Sequence, residues 1–156
     1  DDDRSEPSAW PAVRGPLDLI ILEGWCVGSV APGADESAEP INALERDEDE
    51  DGRWRSWVDA RLARDYAPLF ERLDALVFLA APSFEAVYRW RLEQEQKLAG
   101  VATGAGVMSA AELRRFIQHY ERITRRNLAT LPARATAVLW LNEAHEVVET
   151  CYRRGC

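Results

Sequence analysis

Of 156 residues, 47% are hydrophobic and 29% charged, the balance of one globular domain rather than a disordered or a two-domain chain. No apolar run approaches the ~20 residues that cross a bilayer, and Asp1-Asp2-Asp3 is the opposite of a basic secretory n-region. The net charge of -8 divides into -12 over residues 1–51 and +4 over residues 52–156, which argues against nonspecific nucleic-acid binding but leaves a basic region for an anionic small ligand.

Residues 1–16 hold three prolines and little periodicity and read as a loop. Leu17–Leu22 is a short apolar run closed by Glu23 and Gly24, the pattern of a strand buried on both faces of a parallel sheet. Residues 29–52, rich in Pro, Gly, Ala and acids and ending in Asp47–Asp51, read as a long acidic, solvated loop. From Trp54 the period changes. Trp54, Trp57, Val58, Leu62, Tyr66, Leu69, Phe70 and Leu73 follow a helical repeat that Pro68 should kink or divide. Asp74–Ala81 is a second buried-strand candidate, stopped by Pro82.

A helical face restarts at Phe84, Val87, Tyr88 and Leu92, with Glu93 and Lys97 paired i,i+4. Residues 99–108 are small and read as a flexible lid or hinge. Ser109–Glu112 is a capping box opening a helix whose apolar stripe is Leu113, Phe116, Ile117, Tyr120 and Ile123. Pro132 ends that segment, Ala135–Leu141 reads as a third strand, and His145–Tyr152 as a final strand or a helical turn. The alternation predicts a single α/β layered domain over residues 1–156. Three cysteines, Cys26, Cys151 and Cys156, without C-x-x-C spacing make neither a disulfide framework nor a zinc site, and suit a reducing cytoplasm.

Glu23 carries the first chemistry. An acid at the carboxyl end of a buried parallel strand stands where ligands of open α/β sheets gather, and it can hold or orient Mg²⁺ on a nucleotide phosphate. A strand-ending acid facing solvent is the competing reading. The surroundings, Leu17-Asp-Leu-Ile-Ile-Leu-Glu-Gly-Trp-Cys-Val-Gly28, resemble the segment at the metal-binding strand of P-loop kinases of the D-glycerate 3-kinase type, relatives of uridine kinase, phosphoribulokinase and pantothenate kinase. The resemblance continues through Pro40–Glu45, Asp51–Arg55, Ala81–Glu85, Trp90–Glu95 and Phe116–Arg122, and touches Asp3-Arg4 and Trp10-Pro11. It covers almost the whole chain, in order.

The motif G-x-x-x-x-G-K-[ST], whose backbone N–H groups and Lys cradle phosphates, does not occur in the sequence. The resemblance therefore implies an incomplete parallel-sheet kinase fold, a carboxyl-terminal portion whose first two strands and phosphate loop lie outside this chain. It implies ATP and Mg²⁺, a glycerate-like small-molecule substrate, and dependence on that amino-terminal segment. It further implies that Glu23 serves the metal, Arg91 and Arg89 the transferring phosphoryl group, and Arg91 and Lys97 the nucleotide. Arg4 would hold the acceptor carboxylate and Asp3 would orient its hydroxyl, with Trp25, Cys26, His119 and Arg122 lining the acceptor site. Arg89, Arg91 and Lys97 read equally as a solvated helix face, and Asp3 and Arg4 as terminal residues. A noncatalytic binding or regulatory protein, or an inactive fragment on a degenerate kinase scaffold, is the alternative function.

Overall fold

The computed structural model describes residues 6–33, 38–100 and 107–153. Two long helices and a three-stranded mixed sheet organise it. Strand β1 (Val77–Ala80) pairs in parallel with β2 (Ala137–Leu141), and β2 pairs antiparallel with β3 (Val147–Tyr152), in the order β1-β2-β3. β1 is stopped by Pro82, and Ser83 then caps helix α4 (Phe84–Ala99), its hydroxyl accepting from Ala86 N–H at 3.1 Å. Helix α5 (Ala110–Thr130) opens on the expected capping box: the Ser109 hydroxyl accepts from Glu112 N–H, and the Glu112 carboxylate accepts from Ser109 N–H. Leu113, Ile117 and Ile123 of its stripe are buried. The sheet's own core is Ala80, Ala135 and Val138, with Leu76, Phe78 and Trp140 packed beside them.

Three expectations change. Leu17–Leu22 is not a strand: it pairs with no other segment among the described residues, and Leu19, Ile20 and Ile21 are 75–80% exposed. A strand exists only through its neighbour's hydrogen bonds, and among the described residues no strand joins this run to β1. β1 has the matching defect: its free edge is open, and Val77 and Leu79 face solvent while Ala80 is buried. The strand expected to be buried on both faces is covered on one.

The segment from Trp54 does break near Pro68, but by widening rather than by ending. Helix α2 (Arg53–Arg61) passes into a π-helical turn at Leu62–Tyr66 and then into the short helix α3 (Ala67–Phe70). Proline has no N–H for the ordinary i→i−4 bond, and a π turn accommodates such a defect without a sharp break. Its stripe is only partly inward: Leu62 is buried, whereas Trp54 and Trp57 stack on each other at 5.3 Å on the surface.

The third change is in residues 29–52, which are not all loop. Helix α1 (Ala43–Glu48) forms there, capped by the Asn42 side chain, which accepts from Glu45 N–H at 3.0 Å. Asp49 is no solvated acid either. It is buried against Arg55, whose guanidinium donates to the Asp49 carboxylate and carbonyl and to the Ala38 carbonyl. Two glycines make these folds possible. Gly52 precedes α2 at φ +68°, and Gly28, at φ +82°, lies so close to Leu76 that a Cβ would come within 2.7 Å of its side chain.

His145–Tyr152 resolves into a turn with His145 at φ 66°, followed by β3. No helix among the described residues is long and apolar enough to cross a membrane.

Candidate functional site

Helix α5 carries His119 and Arg122 and receives Trp25, three of the expected site residues. Its 21 residues expose a file of polar groups beside the apolar stripe, and separate segments dock on that file through hydrogen bonds, an ion pair and a ring contact. α1 docks through Asn42, which donates to the Gln118 carbonyl at 3.0 Å and to the Glu121 carboxylate at 3.1 Å, while Leu44 N–H donates to the Gln118 side chain. Arg122 completes the joint. Its Nε lies 2.8 Å from Glu45 Oε1 and its Nη2 2.5 Å from Oε2, a two-point fork, and Nη2 also donates to the Glu39 carbonyl.

Both side chains of that pair are 11% exposed. Burial alone would raise the Glu45 carboxyl; the Arg122 hydrogen bonds and charge, the Ile41 N–H and the Arg55 charge overcome it and hold Glu45 below the usual glutamate range. Arg122 was expected at the acceptor site, and the structure gives its guanidinium a carboxylate already in hand.

Trp25 docks one turn away. Its indole N–H donates to Thr124 Oγ1 at 3.0 Å, and its ring meets Tyr120 edge-on at 4.9 Å. Tyr120 thus belongs to this contact rather than to the deep core. Cys26 is half-buried, and that burial raises its thiol, which leaves it a poor nucleophile. Glu23, two residues before Trp25, is exposed beside the unpaired run. His119 is exposed, with Nδ1 at 3.0 Å from the Phe116 carbonyl.

The cations of α4 occupy three separate settings. Arg91 points along its helix: Nη2 is 2.5 Å from Glu95 Oε1 and Nη1 donates to Gln94 Oε1 at 2.8 Å. Arg89 instead pairs with Glu143 in the β2–β3 turn, where the Trp90 indole also donates to the Glu143 carbonyl. Lys97 pairs with Glu93 at 2.6 Å, mostly in solvent. Asp3, Arg4 and residues 101–106 of the hinge lie outside the described residues.

No hydrogen bond or ion pair joins Glu23 to Arg91, and none of Glu23, Trp25, Arg91 and Arg122 lines either of two surface cavities among the described residues. One of these, about 410 Å³, lies between α1 and the first turns of α5 beside Leu44 and Arg115. The other, about 560 Å³, sits at Leu76 and Thr136, the amino-terminal edge of the parallel strands, opposite to where ligands of such sheets gather. The structure therefore brings Trp25 and Arg122 to one helix and keeps Arg91, Arg89 and Lys97 on another. Sequence reasoning missed Asn42, Glu45 and Asp49. Asn42 three residues before Glu45 carried a usable signal, the N-cap and N3 spacing of a helix start.

No protein-family model matches the chain. It is 35% identical over 127 residues to the uncharacterized kinase mug58 of Schizosaccharomyces pombe, covering 76% of this chain and 41% of that protein. It is 32% identical over 138 residues to the chloroplastic D-glycerate 3-kinase of Arabidopsis thaliana, covering 84% of this chain and 26% of that one. Among solved structures it superposes on a D-glycerate 3-kinase from Cryptococcus neoformans with a TM-score of 0.60 at 22% identity, over 90% of this chain and 52% of the other. The YGR205w protein matches with a TM-score of 0.59 at 22% identity, over 88% and 49%. The chain thus spans under half the length of these two curated relatives.

Proposed function

This chain belongs to the D-glycerate 3-kinase type of P-loop kinases, and we propose that it is the carboxyl-terminal part of an enzyme that phosphorylates D-glycerate with ATP. The observation that carries the reading is one correspondence at two levels, 32% identity over 84% of the chain and a TM-score of 0.60 over 90% of it, to proteins both named D-glycerate 3-kinase. The exposed run Leu17–Leu22 and the open edge of β1 fit the same reading. A strand from an amino-terminal segment, placed between them and carrying the phosphate loop, would satisfy both sets of backbone groups.

In the reaction, the acceptor hydroxyl oxygen forms a bond to the γ-phosphorus. The bond from that phosphorus to the β,γ-bridging oxygen breaks, and ADP leaves with the electron pair. The hydroxyl proton passes to a base from the upstream segment. Arg91, a planar cation, stabilises charge on the transferring group, where positioning and electrostatics supply most of the catalysis. Arg89 and Lys97, each engaged by its own carboxylate and largely solvated, contribute less.

Arg4 takes the glycerate carboxylate as a two-point fork and Asp3 orients the hydroxyl. Trp25, with Cys26, His119 and Arg122, borders the acceptor side. Glu23 is the residue that would hold Mg²⁺. One carboxylate is a fitting protein contribution for an ion that keeps water and phosphate oxygens as its other ligands, and the ion would neutralise phosphate charge there. The free Cys26 and Cys151 suit the reducing cytoplasm.

Two experiments test this. An ATP-coupled assay of the complete protein should show turnover with D-glycerate and little with uridine or pantothenate; turnover with one of those in its place would reassign the acceptor. The 156-residue chain alone should associate or unfold without cooperativity, because its apolar run and strand edge stay open. A monomeric preparation with a sharp urea transition would refute the vacant-strand account.

A further inference from the structure

We infer that Glu95 is a positioning residue that sets the guanidinium of Arg91 for phosphoryl transfer; this rests on the role proposed above for Arg91. Glu95 is 3% exposed, the most buried charged residue among those described. Its two oxygens are divided between two tasks. Oε1 takes Arg91 Nη2 at 2.5 Å, and Oε2 accepts the Met108 backbone N–H at 3.0 Å, just before α5 begins. One carboxylate therefore fixes the Arg91 guanidinium relative to two elements, the carboxyl-terminal half of its own helix and the entry to the next. Gln94 takes the other terminal nitrogen at 2.8 Å.

Stability does not explain the arrangement. A buried carboxylate is costly even when paired, and an apolar residue of similar volume serves a core as well or better. The pair also runs Arg then Glu along the helix, the less favourable order against the helix dipole, whereas Glu93–Lys97 on the same helix runs in the favourable one. What the pair does secure is orientation. Of five guanidinium N–H donors, two are spent on Glu95 and Gln94. The rest remain for a phosphate oxygen, on a side chain whose rotamer freedom is already spent before the nucleotide arrives.

The test is a double-mutant cycle in the complete protein. Glu95→Gln keeps the size and the acceptor for Met108 N–H but removes the charge that holds Arg91. It should lower kcat with ATP about 10-fold or more while leaving the KM for the acceptor within about twofold. Glu95→Leu, which leaves the Met108 N–H without its acceptor and Arg91 without its partner, should unfold at a lower urea concentration, whereas Glu95→Gln, which keeps that acceptor, should unfold near the wild type and lose activity all the same. Arg91→Ala should lose more, and Glu95→Gln added to it should cost nothing further.

Losses that multiply in the double variant would show that Glu95 acts through folding alone and overturn the inference. Wild-type kcat in Glu95→Gln beside an impaired Arg91→Ala would overturn it also, leaving the role of Arg91 intact. Wild-type kcat in Arg91→Ala would instead remove the role of Arg91, and this inference with it.

Discussion

Replacing Arg122 by alanine lowers the stability of the protein by about 3–5 kcal/mol. The value follows from what is left behind. Glu45 sits 8% exposed with both carboxylate oxygens on Arg122, so its removal strands a buried charge instead of merely deleting a contact. Against a total of about 5–15 kcal/mol that is a large share, and α1 should detach from α5. Arg46 is the control. It pairs with Asp47, and both side chains lie mostly in solvent, so no buried charge is left behind and Arg46→Ala should leave the urea midpoint almost unchanged.

Urea unfolding of the two variants separates them; equal small losses would show that the α1–α5 joint does not depend on the fork. The same pair sets a pH limit. Because Glu45 titrates lower in the folded protein than in the unfolded chain, its contribution is present above the unfolded value, about 4.3, and is lost as pH falls through the lower folded one. Arg122→Ala should flatten the stability profile in that acid window.

Arg91→Ala in the complete protein lowers kcat by about 10²–10³-fold, the usual cost of one preorganised transition-state donor, with little change in the KM for the acceptor. Arg91→Lys should not restore it, since an ammonium cannot engage Gln94, Glu95 and a phosphate oxygen in one plane. Arg89→Ala should stay within about threefold of wild type, because Arg89 is turned to Glu143 and half in solvent. Steady-state kinetics decide the matter: an Arg89 loss as large as that of Arg91 would move the phosphate contact one face round the helix.

What the sequence revealed depended on how local each signal was. The Ser109–Glu112 box and the stripe of α5 are specified within a few residues, and they stand where expected. Leu17–Leu22 has the composition of a buried strand, but strand formation needs a partner and none is present among the described residues. α1 was missed because six residues, A-L-E-R-D-E, carry almost no apolar period; it is held by Asn42, Glu45 and Arg122, partners as many as 77 residues apart.

The same distance explains the site. Glu23 and Arg91 are candidates on the resemblance of their neighbours in sequence, whereas the fork that occupies Arg122 and the carboxylate that holds Arg91 exist only in three dimensions. Trp54 and Trp57 follow the helical period yet lie on the surface, because that period reports which residues share a side, not whether anything covers it.

The most direct measurement is phosphoryl transfer from ATP to D-glycerate by the complete protein and by the 156-residue chain, side by side in one coupled assay with Mg²⁺. The account predicts phosphoglycerate and ADP in equal amounts from the complete protein and none from the chain alone. A complete protein that lacks a phosphate loop and makes no ADP with any acceptor would contradict it, and would leave a kinase scaffold that binds without catalysing.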